Sequence, residues 1–298
     1  MPTSRRPLDA TAAGAMVALC ALWGFQQVAV KLAAPAVPLL LQGAIRSAVA
    51  TLLVLAWARW RGIALWQRDG ALAPGLAAGV LFSVEFALIY AGLAHTTAAR
   101  MVVFLYLAPC LTALGLSWFV PGERLSPVQW AGVAMAFGGI AVAFGDGFAA
   151  LGQATLRGDA MGVLAAVGWA ATTVLIRASP LAAVSATRTL FYQLAVSAAL
   201  LPLFSLAAGE GGVAVWTPVA VASLAYQAVI VAFASYLAWF WLLTKYLAGR
   251  LAVFSFLTPL FGVAAGHAVL GDRLSPAFVA AAALVGVGIA LVNLRRAA

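Results

Sequence analysis

The sequence predicts an all-α integral membrane protein whose ten transmembrane helices form two inverted five-helix repeats. The first observation is composition: of 298 residues 65% are hydrophobic and only 8% charged, with mean hydropathy +1.06. That is more apolar surface than one soluble core can hide. The second is that nearly uncharged segments long enough to cross about 30 Å of hydrocarbon recur along the chain. The third is a motif order written twice. Ala99-Arg100-Met101, Tyr106-Leu107-Ala108-Pro109 and Gly122-Glu123-Arg124-Leu125-Ser126-Pro127 return as Gly249-Arg250-Leu251, Phe256-Leu257-Thr258-Pro259 and Gly271-Asp272-Arg273-Leu274-Ser275-Pro276. A polar junction repeated beyond an aligned proline marks an internal duplication.

The expected spans are 10–31, 37–58, 72–94, 97–119, 127–145, 159–178, 183–207, 217–243, 250–270 and 276–294. The first follows Arg5 and Arg6 and has the outline of a signal peptide, but Ala10 to Val30 is long enough to span and another span follows directly, so it reads as a retained helix. The stretch 211–244 is long for one crossing yet too short for two, which together need about 40 residues; one long or tilted helix is expected there. The segment Asp146 to Asp159, with Gly145, Gly147, Gly152 and Gly158, is the most hydrophilic connection and divides the chain into a first repeat at 1–150 and a second at 151–298.

Five spans per unit is an odd number, so the two copies enter the membrane in opposite senses about an axis in its plane. Ten spans put both termini on one side. Arg5, Arg6, Arg59, Arg61, Arg68, Arg124, Arg177, Lys245, Arg295 and Arg296 fall on that side, with Arg250 near its edge; Lys31, Arg100, Arg157 and Arg273 fall on the other. Excess Lys and Arg mark the cytoplasmic face, so both ends are expected there. This orientation also accounts for a net charge of +9, which in a soluble protein would point to nucleic acid.

The duplication extends upstream. Trp23, Gln27 and Lys31 correspond to Trp169, Thr173 and Arg177; Pro38 and Arg46 to Pro180 and Arg188; Phe86 and Tyr90 to Tyr236 and Phe240. Two five-helix halves, a Trp in the first helix of each, and a Pro-bearing fourth helix leading into G-[ED]-R-L-S-P and a Gly-rich fifth resemble the EamA-type transporters of the drug/metabolite transporter superfamily. The resemblance covers essentially the whole chain. Within that family the chain is similar to bacterial inner-membrane exporters of amino acids and related metabolites, including aromatic amino acid exporters. It implies a central cavity lined mostly by helices 1, 3, 4, 6, 8 and 9, and alternating access by movement of four-helix subbundles.

Residues four apart share a helix face, so Phe86 with Tyr90 and Tyr236 with Phe240 each present two rings in one direction, and Trp23 with Gln27 and Trp169 with Thr173 each set an indole beside a polar group. Rings matched in both halves face the pseudo-axis, either as walls of one cavity or as packing where the halves meet. As walls they suit a planar, largely apolar ligand, with Tyr106 and Tyr226 at the polar margin. Glu85 is the one carboxylate well inside an expected span, and its repeat partner is Ser235. It either recognises an ammonium group, carries a coupled proton, or makes a structural hydrogen bond. Arg46 and Arg188 are each able to hold a substrate carboxylate, although a structural pairing is preferred because both copies carry one. Arg100 and Arg250 read as interfacial anchors. Pro109 and Pro259 each remove a backbone donor and displace the carbonyl of Leu105 or Ser255, which makes a matched pair of hinges or of static bends.

Cys20, Cys110, His95 and His267 lack the spacing of a disulfide framework or metal site, and the spacings Gly132/Ala136, Gly138/Val142 and Gly286/Ala290 favour close helix contact within the bundle or in an oligomer. No P-loop, G-x-S-x-G or H-E-x-x-H occurs, so neither ATP-driven pumping nor intramembrane hydrolysis is expected, and no cofactor is implied. The expected partners are a small-molecule substrate and the lipid bilayer. The function expected is secondary export of small amphiphilic metabolites, tilted toward aromatic or hydrophobic amino acids; a cationic-drug exporter of the same fold and a non-transporting membrane sensor or scaffold are the competing readings.

Overall fold

The structure, a computed structural model, describes residues 9–120, 124–150, 152–211, 214–246, 251 and 253–293. The expectations on Arg5, Arg6, Gly122, Glu123, Gly249, Arg250, Arg295 and Arg296 lie outside the described residues. The helices are α1 (Ala10–Ala33), α2 (Leu39–Trp60), α3 (Leu72–Gly92), α4 (Ala98–Phe119), α5 (Pro127–Ala150), α6 (Gln153–Arg177), α7 (Ala186–Ala207), α8 (starting at Pro218), α9 (Leu257–Leu270) and α10 (Pro276–Asn293). Among the described residues, all but α9 are long and apolar enough to cross a membrane; the shorter apolar run there is Phe254–Leu270.

Three helices depart from the regular pattern. α4 consists of Ala98–Leu105 and Ala108–Phe119, separated by a turn at Tyr106-Leu107, with Pro109 in the first turn of the second piece. α9 repeats this logic: a 3₁₀ turn at Val253–Phe256 precedes it and Pro259 stands in its first turn. A proline is well tolerated there because the first-turn N–H groups have no partner within the helix. α8 runs as Pro218–Ala225, a π-helical stretch Tyr226–Ser235, and Tyr236–Lys245, so one continuous element carries the expected single crossing.

The connection expected from Asp146 to Asp159 is far shorter than its composition implies. α5 continues to Ala150 and α6 starts at Gln153, with Gly152 at φ 83° taking the left-handed turn that a side chain would strain. Asp159 is therefore a second carboxylate inside a span, and it is completely buried. Arg100 makes this possible. Rather than anchoring at the interface, its buried guanidinium bonds Asp159 from Nε (3.1 and 3.2 Å) and Nη2 (2.6 Å), Asp146 from Nη1 (3.0 Å) and the Ala143 carbonyl from Nη2 (2.5 Å). Thr96 Oγ1 donates to Asp159 at 2.7 Å and Ser275 Oγ to Asp146 at 2.5 Å. This network joins α4, α5, α6 and the start of α10.

Inversion of the halves is visible in the helix pairs. α5 and α10 run antiparallel: Gln129 near the start of α5 donates to the Val292 carbonyl near the end of α10 (2.8 Å), while Asp146 meets Ser275 at the other ends. Between them Gly132 faces the Gly288 backbone and Gly139 the Ala281 carbonyl; a Cβ at either would come within 2.7 Å of a backbone oxygen. Gly138 and Gly286, by contrast, have open space beside them. α2 and α7 also run antiparallel, with Ser47 Oγ 3.2 Å from Ser197 Oγ. α1 lies parallel to α9, where Gly24 meets Thr258 and Gly262, as α6 lies parallel to α4, where Gly162 meets Met101 and Phe104.

Acids in equivalent connections cross between the halves. Glu210, after α7, accepts from Leu40 N and Leu41 N (3.0 Å each), closing the orphan donors at the start of α2. Asp69, after α2, pairs with Arg188 near the start of α7, at 2.5 and 3.0 Å. That guanidinium holds the Asp69 carboxyl below the usual carboxylate range.

The repeated junction is a stop and start signal. Gly271 (φ 70°) ends α9 with its N–H on His267 O, Asp272 accepts from Ala99 N at the head of α4 (2.9 Å), and Ser275 caps α10 through Phe278 N (3.0 Å). In the first copy Ser126 and Gln129 form a reciprocal capping pair.

Candidate functional site

A cavity of about 670 Å³ lies between the halves. Its wall runs from the middle of the bundle to the end where α4 finishes, reaching Arg124, Gln129, Arg177 and Asn293. That is the end where α1 begins and α10 finishes: Asp9 stands there, bonded by Tyr246 at 2.7 Å. The opposite end holds the Arg100 network, and Lys31, which donates to the Leu93 carbonyl at 2.7 Å.

The helices supplying the wall are mostly α1, α3, α4, α6 and α8. α9 contributes no residue of its own, only Ser255 from the turn before it, while α2 and α7, not expected on the wall, each contribute one polar residue, Arg46 and Gln193. Of the residues singled out in the sequence, Trp23, Gln27, Glu85, Phe86, Tyr106, Pro109, Trp169, Thr173 and Tyr236 are on the wall. Tyr90, Tyr226, Phe240 and Pro259 are not. Tyr90 is fully buried and donates to Gln227 Oε1 (2.6 Å), which in turn bonds Gln42. Tyr226 donates to the Leu22 carbonyl (2.6 Å) and packs edge-on against Phe25, and Phe240 packs behind Tyr236 with ring centroids 6.4 Å apart. These three rings take part in helix packing, and Pro259 shapes α9 from outside the wall.

Indoles from both halves contribute to the wall. Trp23 Nε1 donates to Ser235 Oγ (2.8 Å) and its ring meets Trp239 edge-on at 6.0 Å; Trp169 meets Tyr106 edge-on at 5.4 Å. Phe82 and Phe86 form a further pair at 4.5 Å. The polar patches are matched too: Gln26 and Gln27 of α1 correspond to Thr172 and Thr173 of α6, and all four line the cavity. Gln26 was not singled out in the sequence, although two adjacent amides in an otherwise apolar span were a usable signal.

Arg46 and Arg188 are not structural counterparts. Arg188 is the third residue of α7 and Arg46 the eighth of α2, because the proline matched to Pro38 opens a separate 3₁₀ turn, Pro180–Ala183, ahead of α7. The eighth residue of α7 is Gln193. Arg188 is consumed by Asp69, Gln67 and Tyr192, whereas Arg46 stacks over the Phe86 ring at 4.1 Å in the cavity wall. Among the described residues no group of three His, Cys, Asp or Glu is arranged to hold a metal; His267 Nδ1 lies 2.9 Å from the Asp272 carbonyl.

An inverted bundle enclosing an aromatic and polar cavity near its middle, reached from one end, is the architecture of a multi-pass membrane transporter. The chain belongs to the EamA-like transporter family, whose model matches residues 11–145 and 156–294. It is 27% identical over 218 residues to an "Uncharacterized transporter" of Archaeoglobus fulgidus, covering 72% of this chain and 74% of that relative. It is 25% identical over 202 residues to "Uncharacterized transporter YvbV" of Bacillus subtilis, covering 68% of this chain and 65% of that relative. A solved structure, "Crystal structure of protein", aligns with a TM-score of 0.65 and 25% identity over 96% of this chain and 99% of its own.

Proposed function

We propose that this transporter is a secondary exporter of small amphiphilic metabolites, chiefly aromatic or hydrophobic amino acids, in a bacterial inner membrane with both termini cytoplasmic. The repeats at 1–150 and 151–298 then alternate access to the cavity, whose mouth in this conformation faces the cytoplasm. The observation that carries the reading is the wall itself: rings from both halves, Trp23, Phe86, Tyr106, Trp169 and Tyr236, surround a space that holds Arg46 and Glu85 among them, with Arg124 and Arg177 toward the mouth. Rings favour a planar apolar side chain, and the opposed charges suit a zwitterionic head.

Closing the mouth while opening the other end requires the Arg100 network to release and the bends at Tyr106-Leu107 and Val253–Phe256 to flex. In proteoliposomes, radiolabelled tryptophan and phenylalanine should move and should compete with each other. Movement of cationic dyes with no amino acid flux would replace this reading with that of a drug exporter. With an imposed pH gradient, Glu85→Gln should lose the pH response of flux; an unchanged response removes Glu85 from coupling.

A further inference from the structure

Among the described residues three arginines have nearly completely buried side chains, and two of them are saturated. Arg100 is bound by Asp146, Asp159 and the Ala143 carbonyl, and Arg188 by Asp69, Gln67 and Tyr192. Arg46 differs. It is 1% exposed, yet its Nε and Nη1 have no hydrogen-bond partner. Glu85 shares the cavity wall, but no ion pair within 4 Å joins it to Arg46. Burying a guanidinium without its hydrogen bonds is strongly unfavourable, and a planar fork of N–H donors is the natural mate of a carboxylate. The Phe86 face at 4.1 Å holds the guanidinium plane without consuming a donor, and the Tyr236 side chain is a hydrogen-bond neighbour of the group, which leaves Nε and Nη1 free.

Unused acceptors stand on the same wall. Gln26 Oε1 and Gln27 Oε1 are buried without partners, and Glu85 supplies a carboxylate. The two charges also lack charged counterparts in the second half, where Gln193 takes the place of Arg46 and Ser235 that of Glu85. The rings of the cavity are thus duplicated while its head-group chemistry is one-sided, on α2 and α3.

We propose that Arg46 is the carboxylate-binding group of the cavity and that Glu85, with the amide oxygens of Gln26 and Gln27, takes an ammonium group. The site thereby selects zwitterionic amino acids over molecules that carry only one of the two heads. The inference rests on reading the cavity as the transport site, and it goes further by assigning the head-group contacts and a single binding orientation.

The test is equilibrium binding to the full chain in nanodiscs, with radiolabelled phenylalanine and leucine as probes. Phenethylamine, which lacks the carboxylate, and 3-phenylpropionate, which lacks the ammonium, serve as competitors. In the wild type, phenylalanine should bind at least about 10-fold more tightly than either competitor, and Arg46→Gln should weaken phenylalanine about 10- to 100-fold while leaving phenethylamine unchanged. Arg46→Lys should recover part of the loss, and thermal melting verifies that each variant folds. If Arg46→Gln does not fold, the wild-type panel and Arg46→Lys still decide. Equal wild-type affinity for phenylalanine and phenethylamine overturns the proposal, as does an equal loss of both in Arg46→Gln, or no binding of any carboxylate-bearing probe. Arg46-dependent binding of leucine without phenylalanine supports the carboxylate subsite and removes the aromatic preference instead.

Discussion

Asp159→Ala strikes the most heavily bonded carboxylate among the described residues. The wild-type side chain has no exposed surface and accepts from Arg100 Nε, Arg100 Nη2 and Thr96 Oγ1. Its removal leaves Arg100 with Asp146 and the Ala143 carbonyl alone, so a guanidinium buried for two acids keeps one. Breaking one side of such a buried pair costs about 3–5 kcal/mol, because the surviving charge is desolvated without full compensation. Asp159→Asn, which keeps the shape and an acceptor, should cost less. Arg100→Met combined with Asp159→Leu should cost much less than the sum of the single changes, since both charges leave together. Stability is read from SDS titration and thermal melting of the purified chain in detergent, as a double-mutant cycle. A loss below about 1 kcal/mol for Asp159→Ala, or strict additivity in the double variant, would refute the view that this network closes the end opposite the cavity mouth.

Two further outcomes follow from geometry elsewhere. Gly288→Leu forces a side chain against the Gly132 carbonyl and the Ala136 backbone and should destabilise by at least about 2 kcal/mol, whereas Gly286→Leu, with open space beside it, should stay within about 0.5 kcal/mol in the same melts. Asp69, its carboxyl depressed mainly by the Arg188 hydrogen bond, contributes stability above the unfolded carboxylate value of about 4, and that contribution disappears as pH falls through the lower folded value. Melting temperature should therefore drop on the acid side of pH 4, and Asp69→Asn should be less stable at neutral pH with a flatter acid limb; parallel acid limbs would count against it.

Helix number, inversion and the meaning of the Gly-acid-Arg-Leu-Ser-Pro junction were legible because each is local. Apolar run length sets a span, and Gly, Ser and Pro at helix ends have fixed backbone roles, as Gly271 and Ser275 show. What escaped was pairing across the chain. Asp146 and Asp159 read as loop residues because their composition is hydrophilic, and only pairing with Arg100, 46 and 59 residues away, accounts for two helical acids of which Asp159 is fully buried. Arg46 and Arg188 read as equivalents because each follows a proline by eight residues, yet the 3₁₀ turn at Pro180–Ala183 changes the register between them. Tyr90 and Phe240 share a face with rings on the wall, but a four-residue step along a helix also moves about 6 Å in depth, and that displacement carries them past the cavity.

The contact of α5 with α10 has a mechanical consequence. Where Gly132 and Gly288 meet, main chain lies against main chain, with no flexible side chains between them to absorb sliding. The two helices act as a keel: the rest of the bundle can tilt around this seam, but the seam itself resists shear.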